Sequence, residues 1–241
     1  MKSNKPLIGF DRYVEIAWMD EAARLVLAGN NLSDVNEKLD EYLLPLINGE
    51  TSRRKTKNIL TATWVKSLSG EAVYKNEAAV LYANATKQEQ LAIHYGMSIA
   101  TYPFFMTLSK ILGRLFKLQD EVSNAEFYRR VIEAIGDRDS IKRAAARYLQ
   151  GLIEWGVIEA SGRSAVKPVA KIQVSNSGVV TWLYTAILFS SDRDVLSVDG
   201  ITSNPCWFPF EIPHEYFNIS ESEIIEVVHQ SVGHTLVALK T

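Results

Sequence analysis

The sequence predicts a mainly α protein with small β elements, arranged in three parts, and three observations carry that expectation. Apolar residues recur at helical spacing through the first 155 residues, set between capping residues and glycine stops. The segment 139–175 reads as a helix, a glycine stop and a β-hairpin bearing cations. After residue 178 the pattern shifts to a nearly all-apolar run, a turn-rich stretch and a closing alternating segment. The boundaries that follow are an N-terminal helical part at 1–98, a central part at 99–178, and an α+β extension at 179–241 packed on the central part.

In order along the chain, 13–28 is an amphipathic helix stopped by Gly29-Asn30-Asn31. Ser33 caps a helix to about Leu44, which Pro45 closes, and Asn48-Gly49-Glu50 turns the chain. Thr51 or Ser52 caps a third helix to about Leu68, ended by Ser69-Gly70. A shorter helix fits 77–85, and Thr86-Lys87-Gln88-Glu89 is a capping box opening another to about Tyr95. The central part begins near Tyr102-Pro103, where Phe104, Phe105, Leu108, Ile111, Leu112, Leu115 and Phe116 keep one apolar face. Ser123-Asn124-Ala125-Glu126 is a second capping box, and 136–139 turns the chain into the next helix.

In that helix Asp139 or Ser140 is the expected cap and Gly156 the left-handed stop. Ile141, Ala145, Tyr148, Leu149 and Leu152 form its apolar face, and Lys142, Arg143, Ala146, Arg147 and Gln150 the opposite one. Strands at 157–159 and 166–174 join through 161–164. Three short-linked helices followed by a hairpin is the element order of a winged helix-turn-helix, with a helix-turn-helix-like bundle before it. In the extension, 179–189 reads as a buried helix and 208–212 as a short edge strand between prolines. Ser220-Glu221-Ser222-Glu223 reads as a third capping box before a helix to about Ser231, and 235–239 as a final strand.

Composition narrows the function classes. Apolar and charged fractions of 47% and 22% are those of an ordinary globular protein. One cysteine, Cys206, allows no internal disulfide framework and argues for a reducing, cytoplasmic setting. The start of the chain lacks a signal-peptide layout, and the longest apolar run falls well short of the ~20 residues of a spanning helix, so no membrane partner is expected. No glycine-rich phosphate loop, nucleophile elbow or metal-ligand spacing is present, so the expectation is a non-enzyme with no cofactor, no metal and no small-molecule substrate. His229 and His234, His214 with Glu215 and Glu211, and the packed thiol of Cys206 are read as structural.

The net charge of −2 hides a segregation. Residues 51–75 hold six basic and one acidic side chain and 138–189 hold seven and three, whereas 190–241 hold two and eight. Arg53, Arg54, Lys55 and Lys57 lie in the first turns of one helix, and Lys142 and Arg143 in the first turn of another. Cations there oppose the helix dipole, and a bound phosphate would reverse the sign, although Glu50 and Asp139 already offset part of the repulsion. Arg143, Arg147 and Gln150, around small Ala146, are suited to base edges in a major groove. Lys142, Arg163, Lys167 and Lys171 are suited to phosphates, with Glu154 and Glu159 outside the contact zone. Double-stranded DNA is therefore the expected partner, of modest affinity given the low net charge. A protein–protein adaptor working through 179–241, and an RNA-binding helical protein, are the rival readings.

A resemblance sharpens this. The αα-hairpin ending in Leu44-Pro45 and followed by Ser52-Arg53-Arg54-Lys55-Thr56, the helix around Met106-Thr107-Leu108-Ser109-Lys110, and Ser140-Ile141-Lys142-Arg143 through Leu149, Leu152, Ile153 and Trp155-Gly156-Val157-Ile158 resemble BrxA. That family is the small helical component of bacterial BREX phage-defence systems, and the resemblance covers roughly residues 20–175. It implies a cytoplasmic, non-catalytic, DNA-binding accessory protein acting beside other defence proteins. The aromatic- and acid-rich tail departs from the family's usual ending.

Overall fold

The computed structural model describes residues 9–66, 71–191, 193, 195–213, 222–230 and 234–240, and within them the chain is mainly helical with small sheets. α1 (Ile16–Leu27) and α2 (Leu32–Leu43) are joined by a turn in which Gly29 has φ +75°. The cap of α2 is Asn31 rather than Ser33: its side chain accepts from the backbone N–H groups of Ser33 and Asp34. α3 (Glu50–Trp64) starts on Gly49, so Thr51 and Ser52 lie inside the helix and cap nothing. The expected stop at Ser69-Gly70 lies outside the described residues. α4 (Glu71–Asn84) begins six residues earlier than its apolar spacing suggests.

The capping box of α5 (Lys87–Thr101) is complete, with Thr86 and Glu89 each bonding the other's backbone N–H. Gly96 does not end this helix. A Cβ there would lie 2.7 Å from Leu183 Cδ2 and 2.8 Å from Trp182 Cζ3, so the glycine lets α9 (Ser177–Ser190) cross closely. α9 is buried along its length and packs on α5 and α4. Its Trp182 stacks on Tyr74 at 4.6 Å and donates from Nε1 to the Tyr74 carbonyl at 3.0 Å.

The middle of the chain runs α6 (Pro103–Phe116), β1 (Val122–Ser123), α7 (Asn124–Ile135), α8 (Asp139–Glu154), β2 (Ile158–Ser161) and β3 (Ala165–Pro168). The three strands form an antiparallel sheet in the order β1-β3-β2, with Val122 and Ala160 both opposite Val166. Ser123 caps α7 by accepting from the Glu126 N–H. α8 has no side-chain cap. Arg138 occupies that position, and Asp139 and Ser140 are already helical. Gly156 at φ +69° ends the segment as its sequence position predicts.

Two strand and helix assignments fail as well, each for a local reason. The run 166–174 is not one strand, because β3 ends at Pro168, which has no N–H to continue the ladder. The chain then forms β4 (Ile172–Gln173), which pairs in parallel with β6 (Phe210–Glu211). The helix expected after residue 223 is instead β7 (Ile225–Gln230), paired antiparallel with β8 (His234–Leu239), and β8 also pairs with β5 (Val195–Ser197). The β-branched run Ile224-Ile225-Glu226-Val227-Val228 favours a strand. Ser222 Oγ accepts from the N–H groups of Ile224 and Ile225 at 3.2 Å each, making a local turn rather than a helix cap. Ser220, Glu221 and Ser231, like His214 and Glu215, lie outside the described residues.

α10 (Val198–Thr202) and a 3₁₀ turn, η1 (Pro205–Trp207), fill the stretch expected to be loop. η1 sits directly on α6: a Cβ on Gly113 would meet the Pro205 carbonyl oxygen at 1.9 Å. The extension therefore meets the middle segment through η1 and the first half of the chain through α9. One apolar cluster runs from Phe10 to Val237 through all three parts.

Candidate nucleic-acid interface

α8 presents two faces of opposite character. Ile141, Ala144, Ala145, Tyr148, Leu149, Gly151 and Leu152 are buried. Tyr148 fixes the helix to its neighbours: its hydroxyl shares a hydrogen bond with Ser109 Oγ of α6 at 2.9 Å, and its ring stacks on Phe127 of α7. Such anchoring leaves Lys142, Arg143, Arg147 and Gln150 exposed on the other side, with Ala146 half-buried among them. Arg147 donates to Gln150 Oε1 at 2.8 Å, so the two side chains are in contact on the exposed side of the helix. Arg143 makes no ion pair among the described residues. Arg138, exposed at the cap position, adds a cation next to this face that the reading of 136–139 as a mere turn passed over.

The helix start is less open to an anion than its cations suggest. Lys142 Nζ lies 2.7 Å from Asp137 Oδ1, and the hydrogen bond and charge of that carboxylate raise the lysine's pKa. Asp139 is a second acid in the first turn. The cationic surface is thus the exposed side of α8, not its N-terminus.

In the hairpin, Arg163 follows Gly162 (φ +59°) at the turn and is exposed. Lys167 faces Glu159 across the ladder, Nζ to Oε1 3.0 Å, which places Glu159 inside the cationic zone rather than beyond it. Both partners are exposed, and pairs of this kind are weak and screened by salt. Lys171 is exposed but lies beyond β3, on the link to β4, and so is not part of the hairpin.

The second basic block divides in two. Arg53 Nε and Lys57 Nζ both reach Asp40 Oδ1 of α2, at 3.4 and 3.1 Å, and Arg53 also donates to the Ile47 carbonyl. The Lys57 hydrogen bond first, then the charges of Lys57 and Arg53, hold the Asp40 carboxyl below its usual range. These two cations serve the α2–α3 junction. Arg54 and Lys55 are exposed and make no ion pair among the described residues. α3 packs on α2, α1 and α5, whereas α8 packs on α7, α6 and β2, so the two basic blocks belong to different parts of the fold.

Other chemistry is sparse. Cys206 is fully buried and burial pushes its thiol well up, as befits a packed side chain. Among the described residues no cluster of three or more His, Cys, Asp or Glu could hold a metal, and no helix is long and apolar enough to cross a membrane. No protein-family model, curated protein or solved structure matches this chain.

Proposed function

We propose that this protein is a non-catalytic, double-stranded-DNA-binding accessory component of a bacterial phage-defence system of the BREX type, working in the cytoplasm beside other defence proteins. In this reading α6, β1, α7, α8, β2 and β3 make up a winged helix-turn-helix, with α8 as recognition helix and the β2–β3 hairpin as wing. One observation carries it: Arg143, Arg147 and Gln150 stand exposed on one side of a helix whose other side is locked into the core. Arg143 and Arg147 present bidentate donors to guanine, and Gln150 presents the donor–acceptor pair that adenine requires. Lys142, Arg163 and Lys167 contact phosphate, Lys142 and Lys167 by exchanging an exposed carboxylate for it. Arg54 and Lys55 supply a second backbone-contacting patch.

The reading is tested by fluorescence anisotropy with duplex DNA and duplex RNA of one sequence. Duplex DNA is expected to bind more tightly, and to lose affinity steeply between about 50 and 200 mM salt. Equal or tighter binding of duplex RNA would turn the assignment toward RNA.

A further inference from the structure

Neighbouring elements hold α3 over most of its circumference. Thr56, Ile59, Leu60, Thr63 and Trp64 are buried, Trp64 Nε1 donates to His94 Nδ1, and the Ile59 carbonyl accepts from the Tyr102 hydroxyl at 3.1 Å. Arg53 and Lys57 close one flank on Asp40. Thr51, Arg54, Lys55 and Asn58 stay exposed, and none of these side chains makes a hydrogen bond or ion pair among the described residues. At 3.6 residues per turn their order around the helix is Arg54, Asn58, Thr51, Lys55, an arc of roughly 100°. An amide and a hydroxyl therefore stand between two cations. Glu50, at the head of the helix, falls on the other side of Arg54 from Asn58.

Asn58 is the member of this strip that helix formation does not explain. Asparagine is a poorer helix former than alanine, because its amide competes for backbone groups. Asn36 and Asn84 turn that amide back on the carbonyl four residues earlier, at 2.8 and 3.2 Å. Asn58 makes no such bond, so its donors and its acceptor are open to a partner outside the chain. We propose that α3 is a second base-reading helix and that Asn58 is its specificity-determining residue, selecting adenine through N6 and N7. Arg54 and Lys55, on either side of Asn58, meet the phosphates that wall a major groove, and Thr51 adds a hydrogen bond to a base edge. The inference rests on duplex DNA being the partner of this protein. It adds a determinant separate from those of α8, so the preferred DNA site has two parts.

The test is selection of bound duplexes from a random DNA library by the full parent chain and by Asn58→Ala. The parent should enrich an adenine that Asn58→Ala no longer prefers, while the remaining preferred base pairs are common to both. In the enriched duplex, 7-deazaadenine at that adenine removes N7. It should weaken binding of the parent at least about fivefold and leave Asn58→Ala unaffected. Asn58→Ala should meanwhile unfold at slightly higher urea, alanine being the better helix former, so lost discrimination is not lost folding. The inference alone is overturned, with DNA binding intact, if Asn58→Ala enriches the same bases as the parent or if 7-deazaadenine changes nothing. Failure of the parent to bind any duplex overturns it together with the assignment of DNA as the partner.

Discussion

His94 is fully buried and illustrates how one residue fixes both a tautomer and a pH response. Trp64 Nε1 donates to His94 Nδ1 at 3.2 Å, so the ring proton sits on Nε2 and goes to Asp20 Oδ1 at 3.0 Å. Tyr82 donates its hydroxyl to the same carboxylate oxygen. Burial, opposed by Asp20, keeps the His94 pKa below its usual value. A proton on Nδ1 would also break the Trp64 bond. The unfolded histidine protonates near pH 6.5 and the folded one only at lower pH, so its contribution to stability is complete above about pH 6.5 and is lost as pH falls below it. Urea unfolding between pH 7.5 and 5.5 should therefore show declining stability in the parent chain and a flatter profile in His94→Gln. Glu77 and Glu154, whose carboxyls burial raises, act in the opposite sense and cancel in that comparison. Gly113 gives a second residue-level outcome. Gly113→Ala forces η1 away from α6 and should cost roughly 1–3 kcal/mol of stability, read from a lowered urea denaturation midpoint.

At the scale of elements, Glu89 joins two helix starts. Its Oε2 accepts from the Thr86 N–H at 3.0 Å, and its Oε1 accepts from the Asn176 N–H, at the cap of α9, also at 3.0 Å. Both bonds lower the carboxyl's pKa against its desolvation, and the negative charge lies at the positive ends of α5 and α9. Glu89→Ala should lower stability by about 1–3 kcal/mol, more than loss of an ordinary exposed cap, measured by urea denaturation. The Thr86–Glu89 box, the Ser123 cap and the Gly156 stop were legible because each is written within a few residues. What the pattern could not carry was tertiary. The bond from Asn176 to Glu89 spans 87 positions and the Asp40–Lys57 pair spans 17, so neither leaves a local trace. The pairing of Lys142 with Asp137, five residues away, is within reach of the sequence, although Asp139 lies nearer in the chain and offers the same charge. At β7 the structure departs from the Ser-x-x-Glu pattern because that pattern arises easily by chance, whereas the β-branched run after it holds the better signal.

At the scale of the whole molecule, the helical architecture with small sheets was legible from apolar spacing, and the role of the tail was not. The sequence reads residues 179–241 as an extension packed on the central part, and Val179, Val180, Trp182, Leu183 and Ile187 of α9 belong to the apolar cluster that runs through all three parts. Truncation after residue 178 should therefore abolish cooperative unfolding, read by circular dichroism, rather than release an intact DNA-binding unit. The charge map follows the same logic: Arg53 and Lys57 are held at a helix junction, and the exposed side of α8 with Arg163, together with Arg54 and Lys55 on α3, is what remains for a polyanion. The most direct test is duplex-DNA affinity, across a salt series, of the parent chain and Arg143→Ala/Arg147→Ala, with folding checked by thermal denaturation. A loss of at least about thirtyfold is expected, since two arginines on base edges would be worth about 1–3 kcal/mol each. A correctly folded double variant with unchanged affinity and unchanged salt slope would contradict it.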